Sequence, residues 1–411
     1  MTQPTRDIPF VPVILGGDLG AYAIGREIHE AYGRTSICLA SSPAGIIAHS
    51  KIFEQVHVSP TKPDEVVGAV RSIVREAAGV PVLVTTSVEA CMPSITAVQE
   101  QVEGIVTPAA SAEVVELVSH KDRFCELCEK HGLDIPATEV VELAGSEPIA
   151  PSALPFPVVA KPSYSPEYAH LMGQGFHKVY FMREQRELGE LWARLREAGF
   201  TGNFLVQELI GGDDTLMEHI TVYIDSSGAP TLFGAAQGLL EDHAPTLLGN
   251  PVGMISMPMP ELWERCANLL VDIGYRGFAN FDIKRDPATG RHLFFEVNPR
   301  IGRSSYYLAA AGCNPMVPCV EDLVCGRRLE PCRTERETLY TLVPKRLLMR
   351  YVTDPELLAR VKRVYASGEV YDPQRYAADA HPRRLLDVTL TELNQYRKFA
   401  RYYPEPTETS F

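Results

Sequence analysis

Two short runs constrain this chain more than anything else in it. Residues 279–284 read Ala-Asn-Phe-Asp-Ile-Lys and residues 293–298 read Leu-Phe-Phe-Glu-Val-Asn, with Asp286-Pro287-Ala288-Thr289-Gly290 between them. Side chains alternate along a strand, so Ala279, Phe281 and Ile283 take one face while Asn280, Asp282 and Lys284 take the other. By the same rule Leu293, Phe295 and Val297 share a face, and Glu296 and Asn298 share the opposite one. The intervening residues are good turn chemistry, which predicts a hairpin with Asp282 opposite the neighbourhood of Glu296. Two carboxylates and an amide oxygen then converge on one polar face. Hard oxygen donors held this way suit Mg²⁺, which is bound by few carboxylates and by substrate phosphates. A lone Glu-x-Asn would read as an ordinary solvent-facing strand; the rest of the chain decides between the two.

With 411 residues the chain exceeds one ordinary core, so two to four packed lobes are expected. Apolar content of 45% with 22% charged residues is that of a globular protein. A net charge of −13 excludes general nucleic-acid binding, which needs a basic surface. No run approaches a membrane span and the N-terminus lacks a charged-then-apolar signal pattern, so no integral membrane segment and a cytoplasmic location are expected. The nine cysteines are scattered and odd in number, which predicts reduced thiols rather than a disulfide framework. Cys125-x-x-Cys128-x-x-His131 has metal-like spacing, but it lies on a helical pattern that ends at Gly132, with no second ligand pair nearby. It reads as one face of a helix.

Residues 10–15 form an apolar run followed by Gly16-Gly17-Asp18-Leu19-Gly20 and a helix-like stretch to Tyr32. A strand, a glycine turn and a helix in that order recur in nucleotide-binding α/β folds, where helix N-terminal amides hold an anion. The full dinucleotide fingerprint is absent, and Asp18 reads equally well as the helix cap. Further strand runs at 80–85 and 104–108 and helical patterns at 64–78 and 112–117 make residues 1–118 a small doubly wound α/β domain. His120-Lys121-Asp122-Arg123 opens another helix, and Val158-Val159-Ala160-Lys161-Pro162 is a strand ending on a lysine. Residues 163–177, with Gly173 and Gly175, read as a mobile loop, and 204–210 as a strand that turns at Gly211-Gly212-Asp213-Asp214. Residues 331–411 hold 14 Lys and Arg against 11 Asp and Glu and eight of the 17 tyrosines, and are expected to form a helical extension packed on the core.

Glu296-Val297-Asn298-Pro299-Arg300, preceded by Asp282, resembles the metal-binding signature of ATP-grasp carboxylate–amine ligases. Lys121 and Lys161 resemble the two nucleotide-phosphate lysines of that family, and Gln207-Glu208-Leu209-Ile210-Gly211-Gly212-Asp213-Asp214 resembles its hinge. The matched blocks run in family order from about residue 10 to 325. The resemblance implies an α/β fold: a doubly wound pre-ATP-grasp domain, then a two-lobed ATP-grasp domain with a small lobe at 119–205 and a large lobe at 206–330. It implies ATP and one or two Mg²⁺ ions, with Mn²⁺ as the alternative, held by Asp282, Glu296 and Asn298. Nucleotide binding falls to Lys121, Lys161, Lys178, Gln207, Glu208, Leu209, Ile210 and Asp214, with Asp214 or the neighbouring Asp213 on the ribose. A triphosphate carries about four negative charges, which lysines and Mg²⁺ must offset before a carboxylate can approach the γ-phosphorus. Arg300 and Lys161 are the catalytic candidates, Arg300 stabilising charge that develops in the transition state. Arg303, Ser304, Ser305 and Asp18 are the candidates for substrate binding.

The opening residues 10–33, Lys161-Pro-Ser-Tyr-Ser-Pro-Glu-Tyr168 and the block from Gln237 to Asn250 resemble the bacterial D-aspartate ligases of peptidoglycan assembly. That resemblance implies phosphorylation of the D-aspartate side-chain carboxylate and attack by a diamino-acid amine of a UDP-linked muropeptide precursor. The partners are then a small amino acid and the muropeptide, and a homodimer is compatible with both. The alternative within enzymes is an ATP-grasp ligase that makes a dipeptide or natural-product amide from free amino acids. A nucleotide-sensing module without turnover is disfavoured by the joint presence of Asp282, Glu296 and Asn298. A dinucleotide-dependent oxidoreductase lacks the full glycine fingerprint and its acidic ribose partner. The first domain is expected to serve an amino-acid site, not the nucleotide.

Overall fold

The structure, a computed structural model, describes residues 7–410; the reading of the first six residues lies outside them. Five parallel strands open the chain: β1 (Val11–Leu15), β2 (Ser36–Leu39), β3 (Phe53–Val56), β4 (Val82–Thr86) and β5 (Ile105–Val106). Their order is 3-2-1-4-5, so the chain reverses its winding between β1 and β4. A crevice outside the strand C-termini at such a switch point is where α/β sheets bind ligands. Helices Pro63–Glu76 and Met92–Gln101 cover one face, where Val66, Val70 and Ile95 bury Val13, Leu15 and Val84. Helix Leu19–Tyr32 covers the other, capped by Asp18, whose side chain accepts from Ala21 N at 3.1 Å.

A second sheet is antiparallel: β6 (Thr138–Glu142), β7 (Val158–Pro162), β8 (Tyr180–Met182) and β9 (Asn203–Glu208), in the order 6-9-7-8. Its core, with Val158, Tyr168, Leu191, Trp192 and Phe204, is closed on itself. Helix Lys121–Lys130 does not join that core. Phe124 and Cys128 pack with Ile220, Phe281 and Trp263 of the large lobe, so the small lobe's own core begins after the boundary expected at residue 119. Cys125 and Cys128 are buried on this helix, and among the described residues no three His, Cys, Asp or Glu side chains form a ready-made metal cage. Residues 165–172, read from sequence as loop, form the helix Ser165–Met172; Pro166 at its first turn supplies the start signal.

The large sheet has eight strands: β10 (Met217–Ile224), β11 (Pro230–Asp242), β12 (Asn250–Ser256), β13 (Gly277–Arg285), β14 (His292–Asn298), β15 (Cys332–Arg333), β16 (Leu339–Thr341) and β17 (Val370–Tyr371). The order is 14-13-10-11-12-16-17, with β15 beside β11. The last three come from residues expected to be helical, so the C-terminal part completes the sheet as well as covering it with helices Lys345–Tyr351, Pro355–Ser367 and Pro382–Tyr402. One continuous core joins first-domain residues such as Tyr22 and Ile28 to Met254, Tyr307, Leu348 and Phe399. Cys313 and Cys332 form a disulfide between the end of a helix-bearing loop and β15, which corrects the expectation of nine reduced thiols; the other seven are free. None of the described helices is long and apolar enough to cross a membrane.

Gly277, the first residue of β13, marks where the linker from the first domain crosses the large sheet. It sits at φ +89°, and a Cβ there would lie 2.2 Å from the Pro108 carbonyl oxygen. Gly277→Ala is therefore expected to destabilise the chain by about 2–3 kcal/mol, read as a lower urea midpoint. A midpoint unchanged from the parent would mean that this crossing relaxes freely.

Candidate active site

The site is built on β13 and β14, whose register sets Asp282 opposite Glu296 and Asn280 opposite Asn298. The register slips between Asp282 and Ile283, so that Ile283 faces Phe294 and Phe295 is the extra residue. This bulge corrects the simple alternation. Phe294 is buried in the core with Phe281, while Phe295 turns to the cleft beside Lys161, whose Nζ lies 5.5 Å from the ring centroid. Bulges of this kind re-aim side chains beside functional sites.

Between the two lobes lies a cavity of about 200 Å³, and Asp282 and Glu296 line it together with Lys121, Lys161 and Lys178. Glu296 Oε2 is 3.4 Å from Lys121 Nζ. Burial works against charge on Glu296, but Lys121, Lys178 and Lys161 outweigh it and hold the carboxyl well below the usual range. For Lys121, burial opposes the charged form, and Glu296 together with Glu89 and Asp282 more than offsets it, keeping the ammonium above its ordinary value. Burial pushes Lys161 the other way, down to about 8, with Glu296 opposing and Lys121 adding to the fall. Three lysines around the Glu296 carboxylate make this end of the cleft suited to an anion.

Asp282 is held from two sides. Its Oδ1 lies 2.9 Å from Nδ1 of His219 on β10, and its Oδ2 accepts from Asn298 Nδ2 at 3.1 Å. Asn298 is buried, and its Oδ1 accepts from Arg300 Nη2 at 3.2 Å. The two carboxylates thus face the cavity, whereas Asn298 braces Asp282 from behind. Such a pair fits a Mg²⁺ ion that takes its remaining ligands from phosphates and water. His219 escaped the sequence reading, although His219, Thr221 and Tyr223 alternate with Ile220, Val222 and Ile224.

The hinge lies along the same cavity. Gln207, Glu208, Leu209, Ile210 and Asp214 all line it. Gln207 donates to Thr138 Oγ1 at 2.8 Å, and Glu208 accepts from Ala137 N at 2.9 Å. Lys284 Nζ, on the polar face of β13, donates to the Ile210 and Gly212 carbonyls at 3.2 and 2.6 Å and so pins the hinge to the large sheet. Asp213 caps the short turn that follows, accepting from Thr215 N, whereas Asp214 is buried and accepts from Glu241 N at 2.9 Å. Glu241 also lines the cavity. Burial first, then Asp214 and Asp282, push its carboxyl well above the ordinary range, and its Oε1 has no hydrogen-bond partner.

Other expected residues sit elsewhere. Arg300 lines a separate small cavity with Thr85 and Thr86 under the first sheet, and its Nε is buried without a partner. Arg303 Nε donates to Asp18 Oδ2 at 3.1 Å, which brings those two substrate candidates together at the switch point of the first sheet. The approach is close: a Cβ on Gly20 would lie 2.2 Å from Ser87 Oγ and 3.1 Å from Arg303 Cα. The Ser87 hydroxyl is buried without a partner at this junction. Ser305 does not reach it. Its buried hydroxyl donates to Glu27 at 2.9 Å, which corrects its assignment to substrate, and half-buried Ser304 opens the turn into helix Tyr306–Ala310.

Comparison with known proteins fits this geometry. No protein-family model matches the chain. A D-aspartate ligase of Enterococcus faecium is 27% identical over 98% of this chain and 99% of its own length. Among solved structures, an L-amino acid ligase from Bacillus licheniformis superposes with a TM-score of 0.54 at 17% identity, covering 79% of this chain and 76% of that one. A biotin carboxylase domain from Hydrogenobacter thermophilus, crystallised with MgADP and bicarbonate, gives 0.55 at 16% identity over 80% of this chain and 73% of its own. With the paired carboxylates, the lysines and the hinge gathered on one interlobe cavity, the chain has the ATP-grasp fold and the site of an ATP-dependent ligase.

Proposed function

We propose that this chain couples D-aspartate to the diamino-acid side chain of a UDP-linked muropeptide through an acyl phosphate. The observation that carries the ligase chemistry is the meeting of Asp282 and Glu296 with Lys121, Lys161 and Lys178 across a cavity walled by both lobes. Magnesium bound there would neutralise phosphate charge and align the γ-phosphoryl group. The lysines grip the phosphates, and Lys284 holds the hinge against which the adenine lies. A substrate carboxylate oxygen attacks the γ-phosphorus and ADP leaves. The amine then attacks the acyl carbon, phosphate leaves and a proton passes to solvent. No side chain serves as nucleophile. Residues 163–178, with helix Ser165–Met172 and Lys178, are the part of the small lobe placed to keep water from the acyl phosphate.

An amino-acid substrate is supported by two things. One is the near full-length likeness to the Enterococcus faecium D-aspartate ligase. The other is the Asp18–Arg303 pair beside the unpartnered Ser87 hydroxyl. Arg303 suits a carboxylate and Asp18 an ammonium, the two charges of an amino-acid backbone. An ADP-release screen of D- and L-amino acids, with and without a UDP-muropeptide, tests the reading. D-Aspartate together with the muropeptide is expected to give the fastest release. Release driven by pairs of free amino acids, indifferent to the muropeptide, would reassign the chain to dipeptide or amide synthesis.

A further inference from the structure

One wall of the nucleotide cavity comes from far along the chain. Ser410 lines it beside Asp214, Glu241 and His243. Asp214 Oδ2 lies 3.0 Å from His243 Nε2, and the imidazole stacks on Tyr403 at 3.7 Å between centroids and 8° between planes. Tyr403 is itself wedged in place. It stacks on Tyr351 at 5.3 Å, its carbonyl accepts from the Tyr351 hydroxyl, and its own hydroxyl accepts from Thr407 N at 3.0 Å. Arg350 donates to the Pro404 carbonyl at 2.8 Å. One residue before His243, the buried Asp242 pairs with Lys398 of helix Pro382–Tyr402 at 2.5 Å. Residues 242 and 243 are thus both clamped by the C-terminal segment.

The clamp matters because the Asp214 carboxylate is buried at the cavity edge. Burial alone would favour its neutral form, yet His243 holds it below the ordinary carboxyl range, with the Glu241 N–H contributing. A histidine on a connecting loop keeps one ring orientation only when its far face is packed, and here Tyr403 supplies that packing. The arrangement assigns the C-terminal segment to the nucleotide site, over a gap of more than 150 residues in sequence between His243 and Tyr403.

We propose that Tyr403 is a positioning residue for the nucleotide: it fixes His243, His243 fixes Asp214, and residues 403–410 close the cavity over the bound nucleotide. Docking of that segment and binding of the nucleotide then reinforce each other, since coupling between two sites is reciprocal. The inference rests on reading the interlobe cavity as the nucleotide site. Calorimetric titration of the full chain with ADP and Mg²⁺ checks that reading by itself. Tyr403→Ala and a deletion of residues 405–411 are expected to weaken ADP binding roughly 10-fold or more, within the usual range of coupling. Both should raise KM for ATP by a similar factor and leave kcat at saturating ATP and KM for the amino acid near parent values. Tyr403→Phe keeps the stacking ring and is expected to restore binding. Parent-like ADP affinity in the folded variants, or Tyr403→Phe as weak as Tyr403→Ala, overturns the inference and leaves the nucleotide reading standing. A loss confined to kcat also overturns it. If Tyr403→Ala does not fold, the deletion, which removes the Ser410 wall and the Thr407 contact that holds Tyr403, decides. A parent chain that binds no ADP sinks both.

Discussion

Glu296→Gln is expected to lower ATP turnover by about 10²–10³-fold while the far-ultraviolet circular dichroism stays that of the parent. The substitution keeps the volume and removes the charge that faces Lys121, Lys161 and Lys178. A cation then has one carboxylate, Asp282, where it had two, and the lysines meet the phosphates without the group that orients them. Asn298→Ala is expected to act on the same quantity by another route. It frees Asp282 Oδ2 and Arg300 Nη2 at once, since the Asn298 amide bridges them. Steady-state ADP release measures both. Either variant turning over ATP at the parent rate would remove the cation site from Asp282 and Glu296.

The largest effect on stability is expected from Arg384→Ala, far from the cavity. Arg384 and Asp379 are both fully buried and pair at 3.1 Å, and the guanidinium also donates to the carbonyls of Ile46, Gln374 and Asp379 and lies over the Tyr22 ring. Asp379 accepts in turn from the Tyr22 and Ser50 hydroxyls and from Lys51 N. This network is what fastens helix Pro382–Tyr402 to the first domain. Removing one partner of a buried ion pair strands the other charge, at a cost of about 3–5 kcal/mol. Arg384→Lys is not expected to recover the loss, because an ammonium cannot reproduce the planar fork that reaches several acceptors at once. Urea denaturation followed by fluorescence reads the difference. A loss under about 1 kcal/mol would show that the C-terminal helix is held mainly by its apolar face.

The parts of this architecture that were legible in the sequence are those governed by short-range rules. The β13–β14 hairpin followed from alternation and from turn residues, and the Asp18 cap from a glycine turn ahead of an amphipathic run. The bulge at Phe295 was not legible, because a slip of one residue leaves composition unchanged and only the packing of Phe294 against Phe281 selects it. Ser305 looked available for substrate because its partner, Glu27, lies 278 residues away. The same holds for the strand Leu339–Thr341, too short to signal itself and formed only because β12 offers an open edge. The Tyr403–His243 stack and the Lys284 contacts to the hinge are of this long-range kind too. The ATP-dependent ligase class could therefore be read from the motifs, while how the C-terminal part packs against them required the fold.

The central claim is that Asp282 and Glu296 face a magnesium–nucleotide complex gripped by Lys121, Lys161 and Lys178. A crystal of the chain with Mn²⁺ and a non-hydrolysable ATP analogue tests it most directly, because manganese gives an anomalous signal that locates the ion. An anomalous peak is expected between the Asp282 and Glu296 carboxylates, with the adenine along residues 207–210. A nucleotide seated instead at the Gly16–Gly20 turn, with no metal near β13 and β14, would contradict it.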